Sequence, residues 1–123
     1  MIQSRSILKV ADNSGAQTIR CIQIKGGSYH RYGIIGDIVI GSVQSAKPRK
    51  TVKKKDVVKA VVVRQRQNYK RSNGSHIRFG DNAVIIIDEK LVPVGTRVFG
   101  PIAREIKTCD KYPKIVELGP ELV

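Results

Sequence analysis

The stretch VVKAVVVRQRQNYKRSNGSHIRFGDNAVIII, residues 57–87, decides what kind of fold this chain can make. It opens with the longest strand candidate, Val57 to Arg66, and closes with another, Ala83 to Ile87. Both are dominated by β-branched residues that pack well on a pleated surface. Between them stands Asn73-Gly74. Both residues tolerate the positive φ of a type I′ turn, so the pair predicts a hairpin, with Ser75 to Phe79 as its returning strand. The arms carry Arg64, Arg66, Lys70 and Arg71 before the turn and Arg78 after it. Alternate strand residues share a face, which puts Arg64 and Arg66 in line with Val58, Ala60 and Val62. A face that changes from apolar to basic suits a strand that leaves the core and continues as an arm.

Towards the N-terminus, Ile7 to Val10 and Thr18 to Ile24 read as strands around the turn-rich Asp12-Asn13-Ser14-Gly15. A glycine-rich loop, residues 26–33, contains Tyr29-His30-Arg31-Tyr32. Gly36-Asp37 leads into a strand from Ile38 to Val43, and a loop follows with Lys47, Arg49, Lys50, Lys53, Lys54 and Lys55. Beyond residue 87, Asp88-Glu89 precedes Lys90 in a predicted turn. Pro101 suits a helix start, so Ile102 to Lys107 is expected to be a short helix. Periodicity leaves Lys114 to Leu118 open between strand and helix. Short strands separated by turns indicate a small antiparallel barrel, and 123 residues suit one domain, 1–123.

The net charge is +13, and its distribution is uneven. Residues 1–44 carry +3, residues 45–80 carry +11, and residues 81–123 carry −1. A solvated surface normally mixes both signs. A segment with twelve cations and one acid, Asp56, therefore argues for a polyanionic partner, with affinity supplied by counterion release. Tyr29-His30-Arg31-Tyr32 combines ring faces with a guanidinium, which suits stacking on unpaired bases; equally, a Tyr there could cover a barrel mouth.

Other classes find little support. No apolar run reaches the length of a membrane-crossing helix, and residues 1–6 lack a secretory layout. Cys21 and Cys109 are far apart without a CxxC pair, consistent with free thiols in a reducing compartment. His30 and His76 have no third ligand at a recognisable spacing, so no metal or other cofactor is expected. Asp81, Asp88 and Glu89 could in principle hold magnesium in an RNA-processing enzyme. Nothing, however, assembles an acid, a base and an oxyanion donor, so catalysis is not expected.

Several motifs in order then carry a resemblance over the whole chain. They are Val10-Ala11-Asp12-Asn13-Ser14-Gly15-Ala16, Gly36-Asp37-Ile38, Ala60-Val61-Val62-Val63, Asn73-Gly74, Phe79, Asn82, Ile85-Ile86 and Gly95-Thr96-Arg97-Val98-Phe99-Gly100-Pro101. With them the chain resembles the family of large-subunit ribosomal protein number fourteen, bacterial type. The resemblance implies a mainly β fold: a closed five-stranded barrel with a protruding β-hairpin and a short helical C-terminal part. It also implies a structural, non-enzymatic role in binding large-subunit rRNA and forming intersubunit bridges to small-subunit rRNA. Implied neighbours are ribosomal proteins three and nineteen of the large subunit and the ribosome silencing factor, the last on Thr96, Arg97 and Lys114. The short N-terminus points to a ribosome of a bacterial cytoplasm, or of a mitochondrion or plastid that encodes the chain. The rival within binding proteins is a free-standing single-stranded nucleic-acid-binding barrel, which usually wants more exposed aromatics than the six in this sequence.

Overall fold

The computed structural model describes residues 2–3, 5–25, 32–48, 52–108 and 112–123. Five strands form a closed barrel: β1 (Ile7–Val10), β2 (Ala16–Ile24), β3 (Ile38–Ala46), β4 (Val57–Arg64) and β7 (Ala83–Ile87). A separate two-stranded ribbon, β5 (Tyr69–Lys70) and β6 (His76–Ile77), is inserted between β4 and β7. Two short helices follow, α1 (Glu105–Thr108) and α2 (Pro113–Leu118).

Four barrel pairings are antiparallel, but β1 and β7 close the barrel in parallel. Parity requires this: strands that alternate in direction around an odd-numbered ring must bring two of like direction together once. The all-antiparallel expectation thus holds for every pair except the closing one.

Two apolar clusters share the β4–β7 pair. Ala60, Val62, Val84 and Ile86 face the barrel interior with Leu8, Ile19, Val39 and Val43. Val61, Val63, Ala83, Ile85 and Ile87 face outward, where Val98, Ile102, Ile106, Tyr112 and Ile115 cover them. The uninterrupted apolar runs 60–63 and 83–87 have this physical cause, since a strand buried on both faces has no polar alternation. The covering segment is tied down by backbone bonds, Ala103 N–H to Val63 O (3.2 Å) and Phe99 N–H to Ala11 O (2.7 Å). Tyr112 Oη donates to Gly36 O (2.9 Å).

The sequence reading needs correction at three places. Asn73 does not take a positive φ; only Gly74 does, at +89°. Gly74 N–H donates to Arg71 O and Arg71 N–H to Ser75 O, closing a three-residue loop with glycine in the left-handed position. Asn73 contributes its side chain instead, accepting from Ser75 N–H (3.0 Å) and Ser75 Oγ (2.6 Å). Second, β4 ends at Arg64 rather than Arg66 and is bulged: Val62 pairs with Val84 and Arg64 with Ala83, so Val63 is an extra residue. The bulge breaks the alternation and turns Arg64 to the outer side, with Ala83. Third, Pro101 does not start a helix. The segment after it pairs instead, through Ile102 N–H to Glu121 O and Val123 N–H to Ile102 O, and α1 begins at Glu105. The open alternative at 114–118 resolves as helix, with Pro113 in its first turn.

Asp12 stitches the first turn to the core. Its Oδ1 accepts from Ser14 N–H and Ser14 Oγ, and its Oδ2 from Ile86 N–H (3.0 Å). Burial pushes its carboxyl above the ordinary aspartate range, partly offset by the bonds from Ser14 and Ile86. Asp12→Ala strands buried donors and should cost about 1–3 kcal/mol in denaturant unfolding. Because the folded state holds this proton more tightly than the unfolded chain, the group's titration favours folding most at low pH. That contribution is lost as pH rises from the ordinary aspartate value through the raised one. The difference between wild type and Asp12→Ala should therefore shrink across that window.

Candidate nucleic-acid interface

The lysine loop enters β4 through a tight turn. Lys53 N–H donates to Asp56 Oδ2 (3.0 Å) and Asp56 N–H to Lys53 O (3.2 Å), while Lys55 N–H donates to Val43 O (2.9 Å). Lys55 sits in the left-handed region at φ 74°. Lys53, Lys54 and Lys55 are all exposed. The acid of this turn is bonded to backbone, and no ion pair among the described residues neutralises the three ammonium groups. Lys47 is also exposed, and its N–H is anchored on Gly15 O (2.8 Å). Arg49 and Lys50 lie outside the described residues.

At the far end of β4, about 25 Å along an eight-residue strand, the predicted cations divide into two kinds. Arg64 is only 7% exposed. Its Nε lies 3.2 Å from Asp81 Oδ1, and its Nη1 donates to Phe99 O and Pro101 O. Gly100, at φ 81°, leaves the room this guanidinium fills. Arg71 pairs with Glu105, Nε to Oε1 at 2.7 Å, and Nη2 donates to Val123 O. Both arginines serve the fold, fastening β4 and the ribbon to the C-terminal cover. Arg66, Lys70 and Arg78 are exposed and make no ion pair among the described residues. An open groove between Arg66 and Arg78 is lined also by Phe79 and Gly80.

The ribbon's alternation accounts for the division. Tyr69 pairs with Ile77 and Lys70 with His76, so Tyr69 and Ile77 share one face while Lys70 and His76 share the other. Tyr69 and Phe79 pack on the outer apolar cluster. The ribbon stands outside the barrel sheet, yet its apolar face is seated and strapped through Arg71.

Tyr29, His30 and Arg31 lie outside the described residues, and Tyr32 is exposed. Thr96 and Arg97 are exposed on the loop after β7 and are positioned by Asn13. Asn13 Oδ1 accepts from Thr96 N–H (2.7 Å) and Arg97 N–H (3.0 Å), and its Nδ2 donates to Thr96 Oγ1 (2.9 Å). This loop belongs to the barrel end that holds Lys47, through the shared residues 13–15. Lys114 is exposed on α2, beside Tyr112, whose hydroxyl reaches Gly36 towards the ribbon end. No hydrogen bond or ion pair among the described residues links Lys114 to Thr96 and Arg97.

The acidic candidates for metal are otherwise engaged. Asp81 pairs with Arg64 and, at 3.8 Å, with Lys9. Asp88 Oδ1 accepts from Lys90 N–H and Val92 N–H in the turn after β7. Cys21 is buried, and burial pushes its thiol pKa up, away from the nucleophilic thiolate. The positioning residues Asn13, Asp81 and Glu105 were invisible as such in sequence. Their partners are distant along the chain, and only the turn character of residues 12–15 hinted at any role.

The Arg71–Glu105 pair is testable. A double-mutant cycle with Arg71→Ala and Glu105→Ala should give a coupling of about 1–2 kcal/mol in unfolding free energy. A coupling near zero would mean that the ribbon is held by its apolar face alone.

The family model described as ribosomal protein L14p/L23e matches residues 1–123, the full length of the sequence. No helix among the described residues is long and apolar enough to cross a membrane. The chain belongs to the ribosomal protein L14p/L23e family and is a structural, rRNA-binding constituent of the large ribosomal subunit.

Proposed function

We propose that the chain holds large-subunit rRNA with two groups of cations, centred at opposite ends of β4. One is the lysine turn, Lys53 to Lys55 with Lys47, extended by Arg49 and Lys50. The other is the outer face of the ribbon, Arg66, Lys70 and Arg78; Tyr29, His30, Arg31 and Tyr32, which lie between β2 and β3 in sequence, are further rRNA-binding positions. The observation that carries this reading is the sorting of charge. Arg64 and Arg71 are paired with acids inside the molecule, whereas Lys47, Lys53, Lys54, Lys55, Arg66, Lys70 and Arg78 have no such partner among the described residues. Exposed, unneutralised cations contribute little to folding and much to counterion release.

Within this reading the chain acts as one domain and helps form bridges to small-subunit rRNA. Its protein-facing side lies in the near-neutral last third, beside ribosomal proteins three and nineteen. Thr96 and Arg97, held by Asn13, and Lys114 on α2 serve as docking positions for the ribosome silencing factor. Since these positions lie on separate elements, the factor would have to span both. The setting is a ribosome of a bacterium or of an organelle that encodes the chain.

Replacing Lys53, Lys54 and Lys55 together with Ala should weaken binding to rRNA fragments. It should also lower the steepness of log K against log salt by about 2–3. An unchanged affinity and slope would remove the turn from the interface. Arg97→Ala and Lys114→Ala should each weaken silencing-factor binding while large subunits assemble normally; wild-type factor affinity in both variants contradicts the docking assignment.

A further inference from the structure

The ribbon's two faces differ in a way that specifies the kind of RNA it can hold. Its aromatic residues are spent on packing: Tyr69 and Phe79 belong to the outer apolar cluster. The exposed Tyr and Phe side chains among the described residues are Tyr32 and Phe99, and neither is on the ribbon. The outward face instead presents Lys70, His76 and Arg78, with Arg66 at its base across the groove that Arg78, Phe79 and Gly80 line. The platform is also fastened. Arg71 locks the turn end to Glu105, and Arg66 N–H donates to Asn82 Oδ1 (2.9 Å) at the base. The ribbon is thus a seated, cationic surface whose outward face carries one ring, His76, and no Tyr or Phe; the half-buried Phe79 reaches only the groove at its base.

Single strands are gripped by stacking their bases on exposed aromatics along a charged groove. Double-helical RNA turns its bases inward and is recognised by shape, phosphates and 2′-hydroxyls. A rigid cationic face with a single imidazole, and no run of rings on which successive bases could stack, matches the second better than the first. We infer that the ribbon's outer face is a seat for the sugar-phosphate backbone of double-helical RNA, read without regard to base sequence. This rests on the rRNA-binding reading above and specifies the RNA class taken by one of its two sites.

The full-length protein would be titrated with two probes, a 20-base-pair RNA duplex of arbitrary sequence and a 20-nucleotide oligouridine, across a salt series. We expect the duplex to bind at least tenfold more tightly than the oligouridine. The variant Arg66→Ala/Lys70→Ala/Arg78→Ala should lose at least tenfold in duplex affinity, with a salt slope shallower by about 2–3. Arg66→Lys/Arg78→Lys, which keeps the charge, should retain most of the duplex affinity, and both variants should melt with the wild type because the substituted side chains are exposed. Equal or tighter oligouridine binding overturns the inference, as does a triple-alanine variant with wild-type affinity and slope. Cosedimentation of tagged wild-type chain with large subunits separates the two levels. Incorporation with an unaffected triple variant defeats the ribbon assignment alone, whereas a wild type absent from large subunits defeats the function it rests on.

Discussion

The β4–β7 pair is buried on both faces, and most of the molecule is arranged to satisfy that condition. Inside, its Ala60, Val62, Val84 and Ile86 complete the barrel core. Outside, Val61, Val63, Ile85 and Ile87 would lie bare without the segment that runs from Val98 to Ile115. Covering them accounts for the C-terminal third: a backbone pairing at Ile102 and Leu122, two short helices, and the Tyr112 hydroxyl on Gly36. The ribbon joins the same cover through Tyr69 and Phe79. A strand pair that is apolar on both faces thus fixes where the polar and charged elements can go.

That condition also sorts the cations. Where a guanidinium meets the cover it needs an acid, and Asp81 and Glu105 supply it for Arg64 and Arg71. A buried charge without such a partner would carry a heavy desolvation cost. Among the described residues of the basic segment, Lys47, Lys53, Lys54, Lys55, Arg66, Lys70 and Arg78 are instead exposed and make no ion pair. Self-repulsion there is tolerated because the polyanion that relieves it is the partner itself. On the proposed reading, stability and RNA binding draw on different members of one basic segment, residues 45–80.

Much of this was legible in the residues. The continuous apolar runs at 60–63 and 83–87 marked the central pair, and the turn signals located β1, β2, β3 and the ribbon within a few residues. The charge profile identified the basic loop, and the motifs named the family before any geometry was known. What escaped was long-range. The bulge at Val63 is set by pairing with β7, so strict alternation put Arg64 on the wrong face. Asn73-Gly74 was read as a two-residue turn, whereas the ribbon's register requires three loop residues with glycine alone in the left-handed position. Pro101 looked like a helix start because the competing pairing with residues 121–123 lies twenty positions away. Asn13, read only as part of a turn, holds Thr96 and Arg97 in place.

The division of labour among the cations can be observed directly in density for an intact ribosome containing this chain. The account predicts Lys53 to Lys55 and the Lys70–Arg78 face within ion-pair reach of rRNA phosphates. Arg64 and Arg71 should remain on Asp81 and Glu105. A ribbon whose outer face meets solvent or protein, with Arg64 or Arg71 swung out to phosphate, would contradict it.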